Sequence, residues 1–231
     1  MNTPRISMES RVLGCWRGKS AGGTLGLPAE GKTERQAYTF YDPIPTVVPP
    51  NDDLELQLVW LDRIENHRGP LTIETIADAW LAHIHYMWDE YGRARWNLRR
   101  GVPAALTGVH ENPFASGMGS PIRSEIWAIV AAGKPDLAEN FARLDSMIDH
   151  GSEGIAGEVF FAVLQSLILG GAALAGETTG FAPSNPRWGQ GRDRRGRESL
   201  SCDRCSGPSG KTADGDAGAR TGSILWPVGD C

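Results

Sequence analysis

Long apolar runs, cysteine and a strong charge of either sign are all scarce in this chain of 231 residues, and each scarcity excludes something. The N-terminus, MNTPRISMESRVLGCW, has no apolar core and no small-residue cleavage site, so it is not read as a secretion signal. The most apolar stretch, residues 159–175, is interrupted by Gln165, Ser166 and two glycines. It falls short of the ~20 residues a membrane span needs and reads as a buried central helix. There are four cysteines. Cys15 lies in an apolar helix and reads as a reduced core residue, while Cys202, Cys205 and Cys231 lie in the tail. Without a secretion signal a disulfide framework is not expected, and a reducing cytoplasm is the default location. Cys202 and Cys205 with Cys231 fall short of the four ligands a structural zinc wants. A net charge of −5 points to no nucleic-acid partner. The local group Arg93, Arg95, Arg99 and Arg100 reads as a solvated helix face. No hairpin signal and no convincing alternating strand is found.

What is present is ordinary for a globular chain: 40% hydrophobic and 22% charged residues, enough to bury a core. Residues 9–26 read as a helix whose Gly14, Gly18 and Gly22 share one face. Such a stripe lowers helix propensity and is useful only where another backbone approaches closely. After a Pro- and Gly-rich loop, Asn51-Asp52-Asp53 opens a helix with an apolar face of Leu54, Leu58, Leu61 and Ile64. Pro70 and Thr72 mark the next start, continued by Ile73, Ile76, Trp80, Ile84 and Met87. Residues 101–119 read as a long loop. Ser120-Pro121 reads as an N-cap with proline at the first helical position, opening a helix to Gly133. Pro135 opens another, with Leu137, Phe141, Leu144 and Ile148 inward. Ser152 is the expected cap of a last helix over residues 153–175. The predicted body, residues 1–179, is an all-α, compact orthogonal multi-helix domain. From about Gly180 apolar content and periodicity collapse. Residues 180–231 are therefore expected to be a disordered tail that is not native to the fold, leaving the domain incomplete at its C-terminus.

Four short constellations carry possible chemistry. Asn51-Asp52-Asp53 is either an acidic, capped first turn or a hard-cation site, because Mg²⁺ takes carboxylate oxygens and neighbouring side chains can serve two ions. Glu30, after the run Gly22 to Ala29, is either an exposed glutamate past a helix end or a general acid or base beside that cluster. Gly117, Met118, Gly119 and Ser120 form a Gly-rich entry to a helix, which offers backbone N–H groups to an anion. His150, closing Asp145-Ser146-Met147-Ile148-Asp149-His150, is either a helix C-terminal cap or a site residue.

In order and spacing these segments resemble the ADP-ribosylglycohydrolase family, which includes the enzymes that reactivate dinitrogenase reductase and the J1 crystallins. Gly14 to Glu30 is similar to the family's G-x-x-x-G and G-D-A-L-G-x-P-x-E segment. Asn51 to Leu56 resembles its T-D-D-T-x-M, Gly117 to Arg123 its small-residue loop ending in M-R or I-R, and Asp145 to His150 its D-A-x-x-T-H element. The resemblance covers residues 9–175. It implies an all-α fold, a binuclear Mg²⁺ site and hydrolysis of the bond at C1 of the distal ribose. It also implies, as partner, an ADP-ribosylated protein or a small molecule containing ADP-ribose. By position it makes Asn51, Asp52 and Asp53 metal ligands and Glu30 the group near the scissile bond. Gly117, Met118, Gly119, Ser120 and His150 become the lining of the ADP-ribose cleft. Two departures stand out. Gly23 replaces the family's usual Asp, and nothing matches the late G-G-D-T-D-T motif, Asp214-Gly215-Asp216 being the nearest pair. A two-metal site short of those ligands is expected to bind metal weakly. The alternative expectation is a non-catalytic ADP-ribose-binding or inactive family member.

Overall fold

The computed structural model describes residues 6–41, 44–47, 50–85, 87 and 89–172, together with two strand segments at 188–192 and 198–202. Its body is all-α. Helix α1 (Met8–Gly26) begins at Ser7, whose hydroxyl accepts from the Ser10 N–H. Helix α2 (Asp52–Asn66) is capped by Asn51, and α3 (Ile73–His83) opens with a reciprocal capping box between Thr72 and Thr75. They are followed by α4 (Asp89–Arg99), the short α5 (Glu125–Val130), α6 (Pro135–Ser146) with proline at its start, and α7 (Ser152–Gly170).

Helix α7 is the centre of the body, packed against α5 and α6. Ala138 and Ala142 of α6 are fully buried, and such small side chains let two helix axes approach closely. Where α5 ends and α7 passes, a Cβ on Gly170 would lie 2.5 Å from the Gly133 Cα. Only glycine at both positions permits that crossing. The core is strongly aromatic: Trp60 of α2 lies 6.0 Å from Trp127 of α5, which lies 5.8 Å from Phe141 of α6. Trp80 of α3 lies 5.8 Å from Tyr91 of α4. Helix α7 is long and apolar enough to cross a membrane by length and composition, yet it carries the buried Glu158 and packs into this core.

Several expectations need correction. Among the described residues the glycine stripe of α1 meets no backbone: none lies within 4 Å of a Cβ built on Gly14, Gly18 or Gly22. No residue of α1 is fully buried; the helix is tethered by Arg11, which donates to the Ile168 and Leu169 carbonyls, and by Lys19, which donates to the Ile122 carbonyl. Cys15 is accordingly a free, half-buried thiol rather than a core residue. On α2 the inward face runs through Leu56, Gln57 and Trp60, and Leu58 is exposed. The amide of Gln57 bonds to α5 and turns the helix that way. Helix α3 ends at His83, leaving Met87 outside it and exposed. Arg95 is not solvated. It is buried and donates to the Trp80, Leu81 and Ile84 carbonyls at 2.6–3.0 Å, covering the open end of α3.

The segment after Ser120 is not one helix but a 3₁₀ turn, Pro121–Arg123, followed by α5. Ser120 does not cap it; its hydroxyl donates to the Gly154 carbonyl. Gly151, not Ser152, is the N-cap of α7, and that helix stops at Gly170 because Gly171 turns left-handed at φ 109°. The two strands, β1 (Trp188–Arg192) and β2 (Glu198–Cys202), pair antiparallel. This ribbon corrects the expectation of no hairpin: Gly189 and Gly191 break the alternation of β1, and the alternation of β2 is only four residues long. The rest of the expected tail lies outside the described residues.

Candidate functional site

The Gly117–Ser120 segment lies over a buried polar floor. Met118 is exposed at its tip, while Gly119 and Ser120 are buried. A Cβ on Gly119 would collide with the Glu90 carboxylate, and one on Gly117 would stand 3.5 Å from His150 Nε2 and 3.6 Å from Glu90 Oε2. Glycine here is a matter of space: it lets Glu90 of α4 and His150 come directly under the loop. His150 follows the end of α6, and its N–H donates to the Ser146 carbonyl at 2.8 Å. Its ring is buried, with Nδ1 2.9 Å from Asp149 Oδ1 and Nε2 3.7 Å from Glu90 Oε1. The geometry therefore joins His150 to the loop rather than leaving it at an exposed helix end.

Beneath the loop lies Arg123, fully buried. Its Nε and Nη2 donate to Asp145 at 3.0–3.2 Å, and its Nη1 and Nη2 donate to Asp149 at 2.9 and 2.8 Å. Nη1 also donates to the Gly119 carbonyl at 2.9 Å. Trp127 Nε1 donates to Asp145 Oδ2 at 2.8 Å. Burial alone would raise Asp149, but Arg123 and His150 outweigh it and hold this carboxyl at about 2. Burial pushes Asp145 up against the pull of Arg123. Glu158 of α7 is pushed well above the usual carboxylate range by burial, then by Asp145 and Asp149. One guanidinium thus faces two carboxylates inside the core, with Glu158 within their electrostatic reach.

The acidic start of α2 lies on the adjoining side. Asn51 Oδ1 accepts from the Asp53 N–H at 2.9 Å. Lys19 of α1 donates to Glu125 at 3.1 Å and to the Ile122 carbonyl. Gln57 bridges the Asp53 carbonyl and Glu125 at 2.7 and 2.9 Å. Burial pushes the Asp53 carboxyl up, Lys19 opposes this, and the charges of Asp52, Glu125 and Glu30 push it further up. Glu30, exposed and following the 3₁₀ turn Leu27–Ala29, therefore lies within electrostatic reach of the start of α2. Asp52 acts on the other side. With Arg123, Asp149 and Glu90 it sets the field at the Tyr91 hydroxyl, which burial raises strongly. That hydroxyl donates to the Gly119 carbonyl at 3.2 Å. Tyr91 thus ties the glycine loop to α4.

Comparison with known families matches residues 4–196 to the ADP-ribosylglycohydrolase model. The chain belongs to the ADP-ribosylglycohydrolase family. No curated protein and no solved structure matches it. The family is generally metal-dependent, and the donor set of this member fits a hard cation in kind. Asp52 and Asp53 stand side by side at the start of α2, and carboxylate oxygen is what Mg²⁺ prefers. In number the fit is partial: among the described residues no group of three or more His, Cys, Asp or Glu side chains converges as a metal site. Gly23, where the resemblance leads one to expect Asp, bears directly on this. A Cβ there would lie 2.7 Å from Asn51 Nδ2, so a carboxylate at position 23 would enter the same cluster.

Several polar residues of this ADP-ribosylglycohydrolase domain were missed by sequence reading: Lys19, Glu90, Tyr91, Glu125, Asp149 and Glu158 as parts of the site, and Arg123 as its centre. Two signals were available. Asp145 and Asp149 stand four residues apart and so share a face, which a buried arginine needs. Glu158 is the sole charge in the apolar run of α7 after Glu153. Lys19, Glu90 and Glu125 carry no local signal.

Proposed function

We propose that the chain is a Mg²⁺-dependent hydrolase that cleaves the glycosidic bond between ADP-ribose and a protein or small-molecule acceptor. What carries this reading is the family match over residues 4–196, together with the Gly117–Ser120 loop, whose Gly119 carbonyl accepts from the Tyr91 hydroxyl at 3.2 Å. In this reading Gly117, Met118, Gly119 and Ser120 hold ADP-ribose above His150. Asn51, Asp52 and Asp53 hold the cation, and Glu30 transfers the proton at the scissile bond. Mg²⁺, when bound, stabilises developing negative charge and acidifies a water. Proton delivery to the leaving atom falls to Glu30, whose exposed position allows exchange with solvent. The buried Arg123 donates to the Gly119 carbonyl of this loop.

A second reading, an ADP-ribose-binding protein without turnover, is favoured by one observation. Two adjacent aspartates and an amide already engaged as a helix cap make an incomplete cation cage. The two readings part in a single experiment: ADP-ribose release from arginine- and serine-linked substrates, with Mg²⁺ or with chelator, alongside calorimetric binding of free ADP-ribose. Mg²⁺-dependent release supports the hydrolase. Binding with no release under either condition supports the second reading.

A further inference from the structure

Lys19 and Gly23 are four residues apart on α1 and so share one face of that helix. Gly23 sets this face against the start of α2, since a Cβ on it would lie 2.7 Å from Asn51 Nδ2. One turn back, Lys19 reaches the segment that leads into α5. Its Nζ donates to the Ile122 carbonyl and, at 3.1 Å, to Glu125 Oε1. Glu125 is held in turn from α2, its Oε2 accepting from Gln57 Nε2 at 2.9 Å, and the same Gln57 amide donates to the Asp53 carbonyl at 2.7 Å. A continuous run of hydrogen bonds thus joins the Lys19 ammonium to the first turn of α2. The Lys19 and Glu125 side chains are only 12% and 13% exposed, so this positive charge is fixed in place and weakly screened.

A tether between helices needs a hydrogen-bond donor, not a full charge. The charge of Lys19 is nevertheless felt at α2. Burial raises the Asp53 carboxyl most, and of the charges acting on it Lys19 comes first, ahead of the adjoining Asp52. We propose that the Lys19 ammonium is the resident counter-charge of the cation site at Asp52 and Asp53, setting how weakly that site takes up a divalent ion. The inference rests on the reading of these two aspartates as cation ligands. An ion brought to Asp53 enters a field that already favours the bare carboxylate, and the ammonium repels it. Glutamine at position 19 keeps an N–H donor and removes the charge. Arginine keeps the charge and changes the shape of the donor.

The test titrates the full chain with Mg²⁺ alone by calorimetry, as wild type, Lys19→Gln, Lys19→Arg and Lys134→Gln, each first checked by urea unfolding. Lys134 is exposed at the start of α6, and its replacement removes the same charge far along the sequence from α1 and α2. Lys19→Gln is expected to bind Mg²⁺ about tenfold more tightly than wild type, the scale for a unit charge acting on a divalent ion several ångströms away. Lys19→Arg and Lys134→Gln are expected to stay within about threefold of wild type, because one keeps the local charge and the other alters only a screened one. A folded Lys19→Gln chain that binds Mg²⁺ no more tightly than wild type overturns the proposal and leaves the cation reading in place. An equal gain in Lys134→Gln also overturns it. If Lys19→Gln does not fold, Mn²⁺ added to wild type decides: broadening of the Lys19 amide resonance supports the proposal, and an unchanged resonance overturns it. Uptake of Mg²⁺ by Lys19→Gln with none by wild type supports the counter-charge, and the reading of the native chain as Mg²⁺-dependent fails. If neither chain takes up Mg²⁺, the cation reading and the proposal both fail.

Discussion

Arg123 and Asp149 meet through two parallel hydrogen bonds, Nη1 to Oδ2 at 2.9 Å and Nη2 to Oδ1 at 2.8 Å, with neither side chain exposed. Breaking a buried pair by removing one charge leaves the other uncompensated, at a cost of about 3–5 kcal/mol. Asp149→Asn is expected to fall in this range at neutral pH, and urea unfolding measures it. Because the folded Asp149 carboxyl is held at about 2, below its ordinary value near ~4, its contribution is present above that ordinary value. It is lost as pH falls toward the folded one. The gap between wild type and Asp149→Asn should therefore be full at pH 7 and narrow as pH is lowered through that window. A gap independent of pH would contradict the assignment.

Glu158 titrates in the opposite sense. Its folded carboxyl is raised by burial and by the neighbouring aspartates, so keeping its proton costs stability increasingly as pH rises above the value of an unfolded glutamate. Glutamine has the shape of the protonated acid and no proton to hold. Glu158→Gln should match wild type in thermal stability near pH 4 and exceed it progressively toward pH 8. A melting temperature below wild type at pH 8 would show that the ionised carboxylate is needed.

Gly119 and Glu90 should be coupled. A methyl group on residue 119 drives into the Glu90 carboxylate, and overpacking of this kind costs about 1–3 kcal/mol. Gly119→Ala is expected to weaken both stability and ADP-ribose affinity, and Glu90→Ala in the same chain should recover most of the stability. A double-mutant cycle with no coupling would mean that the loop is not seated on Glu90.

Helix starts were legible in the sequence, because Asn51, Thr72 and Pro135 carry their cap chemistry in their side chains. Helix ends were less so. Gly170-Gly171 stops α7, but the apolar residues that follow disguised the stop. The glycine face of α1 was visible as a pattern, yet a pattern does not say whether a partner is present. Arg95 was misread because helix-face counting does not register three carbonyls at the end of α3 that need a donor. The candidate site was legible where residues lie in short motifs, at Asp52, Asp53, Gly117, Gly119 and His150. It was not legible where single residues from separate helices meet, as Lys19, Glu90 and Glu125 do. Those contacts depend on how helices cross, which no local spacing encodes.

In the proposed function Asp52 and Asp53 hold a cation that the bound ADP-ribose uses. The direct measurement is ADP-ribose release from arginine- and serine-linked substrates by wild type, Asp52→Ala and Asp53→Ala, with Mg²⁺ and after chelation. Wild type is expected to release ADP-ribose with Mg²⁺ and to stop on chelation, and each variant should lose at least about 10²-fold of that activity, on the scale of several kcal/mol for metal-assisted charge stabilisation. Release by both alanine variants at the wild-type rate, unaffected by chelation, would contradict the account.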